Sequence, residues 1–123
     1  MKKLLIADDD KAMLGLVSTL LGLEGYQAVT EADPAEIMAV VHDEQPDLII
    51  LDVHLAGDET LHILEDLKAD PVVGAIPVIM ISGMDLRDQC MELGADDFIL
   101  KPFHPQELLD NIAPLLETSE ETS

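Results

Sequence analysis

Asp8, Asp9 and Asp52 are the residues whose types and spacing promise chemistry. The run Leu4-Leu5-Ile6-Ala7 is continuously apolar and stops at Asp8-Asp9-Asp10. A second run, Leu48-Ile49-Ile50-Leu51, stops in the same way at Asp52. Two strands that deliver carboxylates at their C-terminal ends can build one oxygen-rich pocket, and such a pocket suits a hard divalent cation such as Mg²⁺. Without a cation the three carboxylates would repel one another. Lys101 follows a further apolar run and offers a second positive charge, while Ser82 offers a hydroxyl. That combination handles phosphoryl groups: the cation and the lysine neutralise phosphoryl oxygens and the hydroxyl donates to one of them. One carboxylate is then left as nucleophile and can form an aspartyl-phosphate. Asp52, alone at the end of its strand, is the best placed.

Each of these residues also has a plain reading. A carboxylate after a strand serves as a solvated turn or a helix cap, and for Asp10 the cap is the preferred role. Ser82 alone reads as a turn residue and Lys101 alone as a surface charge. What favours a site is that all of them fall together at the ends of four strands. The histidines carry less. His42, His62 and His104 lack metal-ligand spacing. His54 stands two residues beyond Asp52, where its backbone carbonyl could serve a metal.

The elements that must position these groups follow from periodicity. Strands are expected at residues 4–7, 26–30, 48–51, 78–81 and 97–100; the first is a short apolar run of the kind buried on both faces of a sheet, and the third is the most apolar. Helical stripes lie between and after them. They are Met13, Leu14, Val17, Leu20 and Leu21; then Ile37, Val40 and Val41; then Leu61, Leu64 and Leu67; then Leu86, Cys90 and Leu93; and finally Leu108, Leu109, Ile112, Leu115 and Leu116. Asp33-Pro34 marks a helix start, and Pro114 should kink the last helix. Residues 52–58 are expected to form a loop. Five strands alternating with five helices imply a doubly wound α/β fold with a parallel sheet and helices on both faces. In such sheets the site lies at the C-terminal strand ends, where the strand order reverses.

The totals narrow the class. The chain has 123 residues, so one domain is the default. It is 48% hydrophobic with only Tyr26, Phe98 and Phe103 as aromatics, which calls for an aliphatic core. Six basic against 26 acidic residues give a net charge of −20. That balance argues against nucleic acid as a direct partner. It fits a surface that meets a basic patch on another protein, or a high-salt cytoplasm. The single cysteine, Cys90, excludes an internal disulfide and is expected to be a buried small hydrophobe. Met1-Lys2-Lys3 precedes too few apolar residues for a signal peptide, and no run approaches a membrane span. A cytoplasmic location without membrane contact is expected.

Asp8-Asp9 after the first strand, Leu51-Asp52, Ile81-Ser82-Gly83 and Leu100-Lys101-Pro102-Phe103 together resemble the receiver domain of two-component response regulators. The likeness covers essentially the whole chain. It implies the CheY-like, flavodoxin-like strand order 2-1-3-4-5 and a receiver domain over 1–117; the polar, acidic residues 118–123 read as a disordered tail. By the same resemblance, Asp52 takes a phosphoryl group from a sensor histidine kinase or a phosphotransfer protein. Asp8, Asp9, Asp52 and the His54 carbonyl hold Mg²⁺, and Ser82 and Lys101 contact the phosphoryl oxygens. Phe98 matches the aromatic switch position, which turns inward as Ser82 moves. His54 and Met84 occupy the rim positions that tune the lifetime of the phosphoryl group. The Lys101-Pro102 bond is often cis in this family. The surface so switched is usually the fourth helix, fifth strand and fifth helix, and the first helix, residues 11–21, meets the kinase. The unit is a monomer or a phosphorylation-dependent dimer.

Two positions depart from the family pattern. Proline is common where Ala56 stands and glycine where Thr60 stands, so a differently shaped or more mobile Asp52 loop is expected. The last helix also lacks the arginines of many DNA-binding regulators, which, with no output domain in sight, favours a stand-alone receiver. That receiver switches a protein-interaction surface toward a downstream target, or relays the phosphoryl group, and catalyses only its own phosphoryl transfer and dephosphorylation. The competing readings are a Mg²⁺-dependent aspartyl-phosphate phosphohydrolase and a constitutive, non-phosphorylated interaction module. The former usually carries a second acid at the offset held here by His54.

Overall fold

The computed structural model describes the backbone of residues 1–121 and side chains through residue 117. Residues 122–123 and the side chains of 118–121, where the acidic tail was expected, lie outside the described residues. Five parallel strands form one sheet: β1 (Lys3–Ala7), β2 (Gln27–Glu31), β3 (Leu48–Asp52), β4 (Val78–Ser82) and β5 (Asp97–Leu100). Their spatial order is β2-β1-β3-β4-β5. Five helices connect them or follow: α1 (Lys11–Leu23), α2 (Ile37–Glu44), α3 (Leu61–Ala69), α4 (Arg87–Glu92) and α5 (Pro105–Glu121).

The order reverses beside β1, which pairs with β2 on one side and β3 on the other. Registers Ala7↔Leu51 and Asp52↔Ile81 bring the C-terminal ends of β1, β3 and β4 level. Asp8, Asp52 and Ser82 are therefore delivered to one rim.

Period-2 alternation divides the strands' apolar side chains between two cores. Leu5, Ala7, Ile49, Leu51, Met80 and Phe98 face the layer of α2, α3 and α4. Leu4, Ile6, Ile50, Ile79, Ile81 and Ile99 face α1 and α5. Every residue of β3 and β4 is buried, which explains their unbroken apolar reading, whereas the edge strand β2 is only half-buried. Cys90 is fully buried, as its place in the helical stripe suggested.

Some local details differ from expectation. A 3₁₀ turn, Pro34–Glu36, precedes α2; Asp33 caps it by accepting from the Ala35 N–H. Pro114 does lie inside α5, as expected, and the helix continues beyond it. The segment expected as a loop after Asp52 contains a two-rung antiparallel ladder, His54↔Glu59 and Leu55↔Asp58. No helix among the described residues is long and apolar enough to cross a membrane.

Candidate functional site

Asp8 follows β1 directly and is fully buried. Its Oδ1 accepts from the Asp10 N–H at 3.0 Å and its Oδ2 from Lys101 Nζ at 2.9 Å. Asp9 is exposed, and its Oδ2 accepts from the Ala56 N–H at 3.1 Å. Asp10 does cap α1, accepting from the Met13 N–H at 3.1 Å.

Asp52 ends β3 and is buried. Its Oδ2 accepts from Lys101 Nζ at 2.7 Å and its Oδ1 from the His54 N–H at 3.1 Å. Carboxylate oxygens of Asp8, Asp9 and Asp52 lie within 4.8 Å of one another, close enough to hold a metal ion. An all-oxygen donor set of this kind suits a hard cation.

Lys101 lies past β5, and its backbone N–H donates to the Ser82 carbonyl at 2.7 Å, tying it to the adjacent strand end. The Lys101–Pro102 peptide is cis. Burial alone would lower the Lys101 pKa, but hydrogen bonds and charges from Asp52 and Asp8 outweigh it and hold the ammonium above the ordinary 10.5. At Asp52, burial pushes the carboxyl up from an ordinary 3.8. The Lys101 hydrogen bond opposes, the Asp8 charge adds to the rise, and the net direction is upward. One ammonium between two buried carboxylates leaves negative charge uncompensated, which is the electrostatic demand a divalent cation meets.

Ser82 is fully buried and its Oγ accepts from the Met84 N–H at 3.0 Å. The Met84 side chain itself is exposed, as is His54. Phe98 is buried with its ring packed in the α2–α3–α4 core, beneath the guanidinium of Arg87. The remaining histidines stand apart from this cluster: His42 pairs with Asp70 at 2.8 Å, His104 accepts from the Gln106 N–H at 3.2 Å, and His62 is exposed.

Sequence reasoning noted Ala56 and Thr60 only as departures in the Asp52 loop, without their bonds, and passed over Arg87. Ala56 donates its N–H to Asp9 from a left-handed conformation, φ 50°, that its residue type does not advertise. Thr60 stands at the N-cap of α3 but makes no side-chain cap bond. Its hydroxyl instead donates to the Asp52 carbonyl at 2.6 Å. Arg87, an unremarked charge on α4, donates to the Phe98 carbonyl at 2.8 Å. The hydrophilic Thr after a loop was a visible signal; the destination of its hydroxyl was not.

A family model for the response regulator receiver domain matches residues 4–113. The phosphate regulon transcriptional regulatory protein PhoB of Pseudomonas aeruginosa is 35% identical over 118 residues, 94% of this chain and 52% of that protein. The alkaline phosphatase synthesis transcriptional regulatory protein PhoP of Bacillus subtilis is 33% identical, over 97% of this chain and 50% of that protein. A CheY-like receiver domain protein of Methanospirillum hungatei superposes with a TM-score of 0.91 at 29% identity, covering 100% of this chain and 99% of that one. The BeF₃-activated receiver domain of Klebsiella pneumoniae RstA superposes with a TM-score of 0.84 at 27% identity, over 93% and 97% of the two chains. The chain spans about half the length of the curated relatives it matches. Those relatives therefore lend no support to the stand-alone form expected from the sequence.

Proposed function

The chain belongs to the response regulator receiver domain family, and from that premise we propose that it is a phosphorylation-switched signalling module whose phosphoacceptor is Asp52. The observation that supports this most is Lys101 Nζ bridging Asp8 and Asp52, at 2.9 and 2.7 Å, beside the three-carboxylate cluster. Mg²⁺ held by Asp8, Asp9, Asp52 and the His54 carbonyl would supply positive charge to the phosphoryl oxygens.

The chain's own residues do the rest. A carboxylate oxygen of Asp52 attacks the phosphorus of a phosphohistidine on a sensor kinase or phosphotransfer protein. The new P–O bond forms as the P–N bond breaks, and the electron pair returns to the imidazole nitrogen, which takes up a proton. Lys101 stabilises the charge on the transferring group, and the Ser82 hydroxyl hydrogen, free while Oγ accepts from Met84, is donated to a phosphoryl oxygen. Movement of Ser82 toward that oxygen then biases Phe98 and the α4–β5–α5 surface. His54 and Met84 shape water access at the rim.

The donor protein meets α1. An apolar groove of about 450 Å³ runs between α1 and the segment after β5, lined by Met13, Leu16, Val17, Pro102 and Phe103 with Lys101 at its edge. The groove reaches Lys101, whose ammonium bonds Asp52, which supports docking of the donor on this face. The reaction belongs to a cytoplasmic two-component pathway, and no nucleic-acid contact is ascribed to this strongly acidic unit.

Intact-protein mass spectrometry after incubation with acetyl phosphate, with and without Mg²⁺, tests the reading on wild type and Asp52→Asn. A Mg²⁺-dependent phosphoryl adduct that vanishes in Asp52→Asn is the expected result. An adduct that persists in the variant reassigns the acceptor. No adduct from acetyl phosphate or from a phosphorylated kinase would leave a constitutive interaction module.

A further inference from the structure

The segment after Asp52 is fastened at its tip to the Asp9 carboxylate and at its base to the backbone of Val53 and Asp52. Ala56 and Gly57, with φ of 50° and 85°, turn the chain between the paired residues Leu55 and Asp58. At this tip the Ala56 N–H reaches Asp9 Oδ2 at 3.1 Å. At the base the Thr60 N–H donates to the Val53 carbonyl at 2.7 Å and the Thr60 hydroxyl to the Asp52 carbonyl at 2.6 Å. Thr60 is fully buried, as are Val53 and Leu55, so the hairpin is anchored in the core on the side away from its tip. His54, whose N–H donates to Asp52 Oδ1, lies between the two fastenings.

These bonds join side chains and backbone from two different strands. Asp9 follows the end of β1 and is exposed, and the Ala56 N–H is the donor its carboxylate meets. Asp52 and His54 come from the end of β3. Thr60 gives up the usual N-cap bond of α3 to hold the Asp52 backbone. We propose that Ala56 and Thr60 are positioning residues for the cation site. The Ala56 N–H orients the Asp9 carboxylate, and the Thr60 hydroxyl fixes the Asp52–His54 backbone, so that carboxylates and the His54 carbonyl form a preassembled ligand set. This rests on the reading of the cluster as a Mg²⁺ site. Outer partners that orient ligands typically change metal affinity by about 10–100-fold when removed.

The test is calorimetric titration of the full chain with MgCl₂. Thr60→Val keeps the shape and removes the hydroxyl; it weakens Mg²⁺ binding about tenfold. Thr60→Ser restores the donor and titrates within about twofold of wild type, as does Ala56→Gly, which keeps both the N–H and the turn. Ile63→Val, a buried α3 control with no hydroxyl role, loses stability but leaves the affinity unchanged. Ala56→Pro removes the N–H and cannot adopt the left-handed φ. Should that variant misfold, the Ala56 amide is read directly by hydrogen exchange: protected in wild type, and exposed in Asp9→Ala. A Thr60→Val protein that binds Mg²⁺ as wild type does, or an Ala56 amide that exchanges equally in wild type and Asp9→Ala, overturns the proposal. If wild type is phosphorylated in a Mg²⁺-dependent way while Thr60→Val titrates normally, only the positioning role falls. If wild type binds no Mg²⁺, the reading of the site falls and the positioning role with it.

Discussion

The guanidinium of Arg87 sits 5.7 Å from the centroid of the Phe98 ring and donates a 2.8 Å hydrogen bond to the carbonyl of that same residue. It also lies 3.6 Å from the Asp97 carboxylate. One side chain of α4 thus holds both the ring and the backbone of a buried residue on β5. Arg87→Ala is expected to cost about 1 kcal/mol, because the cation–ring contact and the hydrogen bond are partly solvated. Urea denaturation measures the loss. Loosening should register in the Phe98 ring proton shifts, and Arg87→Lys, lacking the planar fork, should recover only part of both.

The upward displacement of the Asp52 pKa sets a pH dependence. A carboxyl whose folded-state pKa exceeds its unfolded value stabilises the fold at pH below the unfolded value. That contribution is lost as pH rises through the folded-state pKa. In the presence of a chelator, the stability of wild type relative to Asp52→Asn should therefore fall as pH rises above about 4. Burial and Asp8 are the causes, opposed by Lys101. Mg²⁺ favours the ionised carboxylates and should reverse the trend. Urea midpoints for both proteins across pH 4 to 8 decide it, and a difference that is flat or rises with pH in chelator contradicts the assignment.

Ala56 holds φ 50°, in the left-handed region that disfavours a Cβ. Ala56→Gly removes that strain but loosens the unfolded chain. The net expectation is a gain of about 0.5–1 kcal/mol, read as a higher urea midpoint at unchanged m-value.

Two glycines should respond in opposite directions. A Cβ at Gly15, on the exposed side of α1, meets nothing within 4 Å. Gly15→Ala should stabilise by about 0.5–1 kcal/mol through helix propensity. A Cβ at Gly74 would fall 2.5 Å from the Asp70 carbonyl oxygen and 2.9 Å from that of Lys68. Both are backbone atoms, so Gly74→Ala should destabilise by about 1–3 kcal/mol. Thermal melts of the two variants side by side provide the comparison.

The scaffold was legible because its signals are redundant. Leu48 to Leu51 are apolar, β-prone and bounded by a turn and an aspartate, and the strand begins where that pattern begins. Asp8, Asp52 and Ser82 could be placed at strand ends because a buried strand stops where its apolar run stops. What escaped were bonds decided by tertiary register. Nothing local says that the Thr60 hydroxyl turns back to Asp52 instead of capping α3, or that an alanine adopts a conformation usually left to glycine. Leu100 shows the same limit: it completes an apolar run, yet at the C-terminal end of β5 it is 46% exposed while Phe98 and Ile99 of the same strand are buried.

The sheet leaves α1 and α5 sharing one core and α2, α3 and α4 another, with the backbone of five strands between them. Substitutions on opposite sides share few neighbours, so their energetic effects should sum rather than interact. Ile112→Val and Val73→Ala, one in each layer, should combine additively in a double variant. For a lineage this amounts to insulation. Residues of the layer holding α1 and α5 can change without repacking the layer around Phe98, and the reverse, so duplicated copies can diverge on one side of the sheet while the other stays as it was.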